Sequence, residues 1–137
     1  MVEQYVGVRI DKESYAIPIL EIHEIIRMQE ITHIPNSRRF VRGVINLRGQ
    51  IIPVVSLREC MGMPDEEYTK ATRIVVVNDH DSVIGMIVDR VNQVLSFADV
   101  QPPPEQNKDA ADSVLAGIGH KGDMLVSILN LEALLKE

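Results

Sequence analysis

One stretch of the chain carries a pattern associated with nucleotide chemistry. Residues 117–122, Gly-Ile-Gly-His-Lys-Gly, match GxGxxG letter for letter. In dinucleotide-binding proteins the third glycine opens a helix whose N-terminal N–H groups bind the pyrophosphate. Here residues 124–129 follow, a short apolar run typical of a strand, and the sequence ends 15 residues after Gly122, short of the acidic residue expected about 20 positions after the motif. The pattern therefore favours a hairpin, and a nucleotide-binding barrel stays the rival hypothesis, which micromolar binding of NAD or ATP would revive.

Metal and acid–base chemistry have no clear site. His23-Glu24 begins like the zinc signature HExxH, but Arg27 takes the place of the second histidine. The histidines show no metal-ligand spacing; they are His23, His33, His80 and His120. The sequence therefore predicts ordinary surface or boundary histidines and no metal.

Nucleophilic catalysis is equally unsupported. No serine stands in a GxSxG elbow, and Asp79 and Asp81 lie in a predicted turn, where Asp is favoured for its local backbone bonding. Cys60 is the only cysteine, so it cannot form a disulfide within the chain, and we expect a buried thiol. The sequence predicts a protein that is not an enzyme and holds no cofactor.

Composition excludes further classes. The 137 residues carry a net charge of −6 with 4% aromatic residues and no Trp, which disfavours binding to nucleic acid, including single strands on a barrel. No apolar run approaches the roughly 20 residues that span a bilayer, and Met1–Gln4 lacks the basic start of a signal peptide, so we expect a cytosolic protein. One basic cluster, predicted to be a solvated face, comprises Arg38, Arg39, Arg42 and Arg48.

The elements that would position any site centre on residues 41–60. Two β-branched apolar runs flank Arg48-Gly49-Gln50, which predicts a hairpin. Pro53 lacks an N–H and indicates an edge position or a bulge in the second strand. Ser56 and Glu59 stand at capping-box spacing, so we expect a short helix from Leu57.

The remaining chain is mostly strand-like. Alternation from Gln4 predicts a strand with one buried face, followed by a turn at 11–14 and a return strand at 15–17. Ile19, Ile22 and Ile26 fall on one helical stripe after Pro18, which predicts a short amphipathic helix. Further expected elements are an alternating stretch at 31–34, strands at 73–77, 83–88 with a continuation to 95, 114–120 and 124–129, a polar loop at 101–113, and a helix at 131–135 capped by Asn130.

The two halves of the sequence resemble each other. Residues 5–17 are answered by 74–85, and the stretch from Arg48 to Leu57 is answered by the stretch from Lys121 to Leu131. Two halves of under about 70 residues would each be marginal alone, so we expect two small antiparallel barrels that share a core.

Three segments carry a family resemblance. GVINLRGQIIPVVSLR at 43–58, ILEIHEI at 19–25 and IGMIVDRVNQVL at 84–95 resemble the CheW family of bacterial chemotaxis coupling proteins. The resemblance implies an all-β, mainly β fold of two tandem SH3-like five-stranded barrels with short helices and a shared hydrophobic core. It also implies one domain over 1–137, with subdomains at about 12–68 and 69–137 and the N-terminal strand 1–11 joining the second.

The same resemblance implies a function. It is that of a non-catalytic, cytoplasmic adaptor at membrane-associated receptor arrays, which joins chemoreceptor tips to the regulatory domain of the histidine kinase CheA. An adaptor of a parallel pathway, such as pilus-driven motility, is the alternative. The implied receptor-binding residues are Ile22, Glu24, Gly43 and Arg48, and the implied kinase-binding residues are Ile25, Arg42 and Ile51.

Physical arguments support and also challenge these assignments. Glu24 and Arg48 are opposite charges near apolar residues, a mixture suited to an interface with a polar rim. They could equally form a plain surface ion pair, worth about 0 to 1 kcal/mol. Gly43 could mark a bulge or a close backbone approach, and Ile25 and Ile51 could belong to the core.

Overall fold

A computed structural model describes residues 3–35, 40–103 and 114–135. Strands dominate these ranges, which confirms the mainly β expectation. The strands are β1 (Tyr5–Ile10), β2 (Glu13–Pro18), β3 (Ile22–Arg27), β4 (Val41–Leu47), β5 (Gln50–Ser56), β6 (Arg73–Asp79), β7 (Ser82–Val88), β8 (Arg90–Leu95), β9 (Asp99–Gln101), β10 (Leu115–Lys121) and β11 (Met124–Leu129). The helices are a single turn of 3-10 helix at Ile19–Glu21, α1 (Leu57–Cys60) and α2 (Leu131–Leu134). Arg38, Arg39 and most of the predicted loop at 101–113 lie outside the described residues.

The strands form two sheets that exchange elements between the halves of the chain. One sheet has the order β3-β6-β7-β5-β4 and the other β8-β1-β2-β11-β10-β9. The strand after each N-terminal hairpin crosses over, since β3 pairs with β6 and β8 pairs with β1. The division of strands between the sheets therefore does not fall at residues 68 and 69, and the subdomain boundaries stay a prediction. The sixth strand of the larger sheet is β9, which the sequence did not predict.

Each sheet closes on itself where its edge strands meet. In the five-stranded sheet, Thr32 pairs with Val44 of β4 through two backbone hydrogen bonds of 2.9 Å, shortly after edge strand β3 ends. In the six-stranded sheet, β9 follows edge strand β8 and pairs with β10 in the same way. We call the two closed sheets the five-stranded barrel and the six-stranded barrel.

Three apolar clusters explain why the central strands read as almost continuous apolar runs. In β6, Ile74 and Val76 point into the five-stranded barrel, whereas Val75 and Val77 point to a cluster between the barrels. Both faces of such a strand are buried, as in sheets covered on both sides. The six-stranded barrel has its own interior cluster, which includes Phe97. The predicted shared core is the cluster between the barrels, to which both α1 and α2 contribute.

The strand registers reveal the internal repeat. Gly43 pairs with Val54, and Gly117 pairs with Ile128, a shift of 74 residues in both strands. The β1–β2 and β6–β7 hairpins correspond with a shift of 69. The registers place Gly122 at the position of Arg48, so the match of Arg48 with Lys121 was wrong by one residue.

The predicted amphipathic helix after Pro18 was wrong beyond its first turn. Residues 22–27 instead form β3, which pairs with β6. Burial alternates along β3, with Ile22 and Ile26 half-buried and His23 and Arg27 exposed, so the four-residue spacing that suggested a helix also fits the two-residue period of a strand. Pairing of three isoleucines with a buried strand favours β structure over local helix propensity.

The predicted turn and helix caps are confirmed, whereas the inference from Pro53 is not. The turn after β4 is confirmed, with positive φ at both Arg48 (51°) and Gly49 (87°). The caps are confirmed as well, because Ser56 accepts a hydrogen bond from the Glu59 N–H and Asn130 accepts one from the Ala133 N–H. The inference from Pro53 was wrong, since β5 lies inside the sheet and the bulge is in β4 between Val41 and Gly43.

Strand β7 does not run on to residue 95. It ends at Val88, and β8, which begins at Arg90, joins the other sheet.

One charged contact at Asp89 ties the two barrels together. The Arg58 side chain of α1 is buried, and its Nε and Nη2 donate to the two carboxylate oxygens of Asp89 at 3.0 and 2.6 Å. Asp89 also accepts the Asp11 N–H at 2.7 Å, from the β1–β2 turn. Burial by itself raises the pKa of Asp89, but the hydrogen bonds from Arg58 and Asp11, together with the Arg58 charge, hold that pKa below its ordinary value.

The closure at Thr32 predicts a large cost for a side chain at Gly43. A Cβ there would lie 2.2 Å from the Thr32 carbonyl oxygen, so Gly43→Ala must open the bridge. We expect a loss of about 3 kcal/mol in the free energy of unfolding, measured by urea denaturation. Gly49→Ala is the control, because no atom lies within 4 Å and only its positive φ is strained, at about 1 kcal/mol. Equal losses in the two variants would contradict the role given to the bridge.

The pairing of Asp89 predicts a pH-dependent stability. Because its folded pKa is lowered, the stabilisation is present above the unfolded pKa and is lost as pH falls through the folded pKa. We expect Asp89→Asn to lower the free energy of unfolding by about 2 kcal/mol at pH 7, with the difference from wild type shrinking below about pH 4. Asp123→Asn, at an exposed turn, should stay within about 0.5 kcal/mol. A constant difference down to pH 2 would refute this account.

Candidate functional site

The GxGxxG stretch has a structural explanation. Gly117 and Gly119 lie in strand β10, and Gly122 lies in the turn to β11, so no helix follows the pattern. A Cβ at Gly119 would lie 2.5 Å from the Phe97 ring, and one at Gly117 would lie 2.8 Å from the Gln101 carbonyl oxygen. These glycines permit close packing inside the six-stranded barrel, and the phosphate-binding arrangement of the motif is missing.

The ligand-forming side chains do not gather. In the ranges that the structure covers, no group of three or more His, Cys, Asp or Glu could hold a metal ion. Burial, with a smaller contribution from the Glu59 charge, raises the pKa of the Cys60 thiol to about 11, so this thiol is protonated at neutral pH. None of the described helices is long and apolar enough to cross a membrane.

Two of the predicted receptor-binding residues come together. Glu24 of β3 and Arg48 in the β4–β5 turn form an ion pair across the closing edges of the five-stranded barrel. The Arg48 side chain is 68% exposed and that of Glu24 is 25% exposed, so the guanidinium faces solvent. The turn that presents Arg48 is itself fixed, because Asn46 accepts the Gly49 N–H at 2.9 Å.

The other two predicted receptor-binding residues have structural roles. Ile22 is half-buried and packs against the shared core. Gly43 is buried beneath the Thr32 carbonyl, as the expectation of a bulge or close approach stated. These residues shape the edge that carries the ion pair.

The predicted kinase-binding isoleucines are on the surface. Ile25 is 38% exposed on β3 and Ile51 is 59% exposed on β5, so the alternative that they belong to the core was wrong. Exposed large aliphatic side chains are typical of the centre of a protein interface.

Arg42 is occupied within the molecule. Its Nη1 lies 2.7 Å from Oδ2 of Asp65 and 3.6 Å from Oε2 of Glu59. Asp65 also accepts a hydrogen bond from the Ser56 hydroxyl at 3.2 Å, so Arg42 helps to hold the connector after α1 against the five-stranded barrel. Arg42 also lines an open groove of about 890 Å³. The residues lining it are Met28, Gln29, Glu30, Ile31, His33, Phe40, Val41, Arg42, Glu59 and Tyr68.

Sequence reasoning missed two features. The first is the Arg58–Asp89 pair, for which the only signal was a charged residue beside each of two buried elements. The second is a set of exposed apolar residues on the six-stranded barrel, including Val94 (52% exposed) and Leu125 (63%). The registers place these two at the repeat positions of Ile25 and Ile51. Adding the shift of 69 residues to Ile25 and the shift of 74 residues to Ile51 would have identified Val94 and Leu125 from the sequence.

Comparisons with known proteins agree on one family. The protein-family model of the CheW-like domain matches residues 4–137 of this sequence. The chain is 39% identical to Chemotaxis protein CheW of Helicobacter pylori, over 98% of this chain and 82% of that protein. The crystal structure of scaffolding protein TtCheW from Thermoanaerobacter tengcongensis superposes with a TM-score of 0.89 at 32% identity, covering 100% of this chain and 94% of that one. Protein PilI of Pseudomonas aeruginosa is 28% identical over 85% of this chain and 66% of its own length.

Proposed function

The chain belongs to the CheW-like domain family of chemotaxis adaptors, and we propose that it joins the cytoplasmic tips of chemoreceptors to the regulatory domain of the histidine kinase CheA. On this proposal it has no reaction of its own and is located at receptor arrays. An adaptor in a parallel pathway is not favoured, because the match to Protein PilI is lower and shorter than that to the H. pylori chemotaxis protein.

The observation that carries the receptor side of the proposal is the exposed ion pair of Glu24 and Arg48. Chemoreceptor tips are helical hairpins, and a rigid turn that presents a guanidinium beside a carboxylate can pair with polar groups on a helix. The pair stands on the rim where the five-stranded barrel closes, and Gly43 and Ile22 fix that rim from below. Receptor binding thus uses Arg48 and Glu24 directly and the other two residues through the backbone they position.

The kinase side of the proposal uses the exposed isoleucines. Ile25 and Ile51 offer apolar surface without burying it in the free protein, which suits contact with a second β module. Arg42 contributes by holding Asp65 and the connector in place. On this proposal the receptor and the kinase bind at the same time, in a ternary complex in which receptor state controls the kinase.

A receptor-capture assay tests the ion pair. We expect Arg48→Ala to weaken capture of a receptor cytoplasmic fragment about tenfold while changing the free energy of unfolding by less than about 1 kcal/mol, because the pair is exposed. The double variant Glu24→Arg with Arg48→Glu keeps an internal ion pair but reverses the charges that a partner meets, so it should not recover capture. Arg90→Ala, an exposed arginine on β8, is the control. Recovery in the double variant would mean that the pair acts only within this chain, and normal capture by Arg48→Ala would remove it from the site.

A pull-down with the CheA regulatory domain tests the kinase face. We expect Ile51→Ser to reduce retention about tenfold, because binding would cover the exposed aliphatic side chain. Leu20→Ser is the matched control, since Leu20 is more exposed still and lies outside the proposed face. Equal retention of the two variants would argue against Ile51, and failure of the wild-type protein to bind would argue against the kinase as partner.

A further inference from the structure

The six-stranded barrel has an open cleft at one end. The cleft measures about 380 Å³. Its buried wall is formed by Gly7, Leu95 and Val126, and exposed Asn92, Gln93 and Met124 stand at its rim. Ser14 of β2 is half-buried between them. None of the lining residues is charged, and the volume lies in the range of ligand pockets.

The internal repeat shows what fills the same place in the five-stranded barrel. The registers place Val76 at the position of Gly7 and Val83 at the position of Ser14. Val76 belongs to the interior cluster of that barrel, and Val83 packs against it. The five-stranded barrel therefore fills this volume with two isopropyl groups where the six-stranded barrel has a hydrogen atom and a hydroxymethyl group.

The residues at the ends of the two barrels differ as well, and the six-stranded barrel again has the smaller or uncharged ones. Gln93 stands at the repeat position of Glu24, and Gly122 stands at that of Arg48. The ion pair that covers the end of the five-stranded barrel thus has no counterpart over the cleft. The amides of Asn92 and Gln93 supply neutral donors and acceptors there.

The vacancy is confined to this end of the barrel. Deeper in the interior, the Phe97 ring packs against Gly119, which stands at the position of Ile45, and lies 5.1 Å from the Tyr5 ring between centroids. A large residue from the loop after β8 has therefore replaced the missing volume inside. The Leu95 side chain takes part of the place of Val76, since its Cδ1 would lie 3.2 Å from a Cβ at Gly7, and the cleft remains chiefly where the hydroxymethyl group of Ser14 replaces the isopropyl group of Val83.

We propose that this cleft binds a branched aliphatic side chain of leucine type, presented by an uncharged segment of a partner protein. The occupant packs against Leu95 and Val126 and supplies the apolar volume that Val83 supplies in the other barrel, and its peptide groups meet the amides of Asn92 and Gln93. A charged occupant is disfavoured, because its charge would be desolvated without a partner. The long, unbranched Met124 side chain adapts the rim to the shape of the occupant. The inference depends on the internal repeat and not on the receptor or the kinase.

An NMR titration of the full chain with N-acetyl-leucinamide tests the cleft. We expect backbone amide shifts centred on Gly7, Gln93 and Val126, saturating with a Kd in the low millimolar range, as is usual for a probe of this size. N-acetyl-glycinamide, which lacks the side chain, and the anion N-acetyl-aspartamide should leave these amides unshifted. Equal shifts with either of these probes, or no shifts at the cleft up to the solubility of the leucine probe, would overturn the proposal.

Variants that copy the five-stranded barrel sharpen the test. Ser14→Val introduces the side chain of Val83, which suits a strand, and should weaken probe binding at least tenfold. Ser82→Val adds the same group at an exposed site in the other barrel and should leave binding unchanged. Gln93→Glu, which copies Glu24 at an exposed position, is the second variant if Ser14→Val does not fold. If either cleft variant bound the leucine probe as tightly as the wild type, the proposal would be wrong. It would also be wrong if the amide shifts of the cleft residues changed with protein concentration in the absence of a probe.

Discussion

Burial of the central strands on both faces is the constraint on which the rest of the structure depends. The hairpins β1–β2 and β6–β7 each send alternate side chains into one small barrel and the others into the cluster between the barrels. Neither barrel interior is large, so most of the apolar burial that stabilises this chain is shared. Because β3 and β8 cross between the halves, neither barrel is made from one half alone. The Arg58–Asp89 pair adds directional hydrogen bonds to the non-directional apolar packing between the barrels.

A rigid interior leaves the surfaces free to differ. Position by position, the two barrels share registers, bulges and close glycine contacts, yet the end of one carries Glu24, Arg48 and two valines whereas the other carries Gln93, Gly122, Gly7 and Ser14. The first end is filled and charged, and the second is open and neutral. For an adaptor, such a difference between repeated units is a physical route to distinct partners from one fold.

Several residues with a proposed binding role also stabilise the fold, so mutating them would change the structure as well as any contact with a partner. Gly43 permits the backbone bridge that closes the five-stranded barrel, and Arg42 holds Asp65. A loss of binding on changing either residue would therefore not identify a contact. Arg48, Ile25 and Ile51 are exposed and make better probes of an interface.

The sequence by itself determined the strands, turns and caps whose signals are local: the hairpin around Gly49, the caps at Ser56 and Asn130, and the repeat of the two halves. Its motifs also fixed the family, because the block at 43–58 is specific. Only the tertiary structure decided the features that depend on distant partners. Residues 22–27 became a strand because β6 pairs with them, Gly43 is needed because Thr32 passes over it, and Ile25 and Ile51 are exposed because of how the sheets pack. Periodicity reports which side chains share a face, but whether that face meets a core, another strand or solvent is set by chain segments far away in sequence.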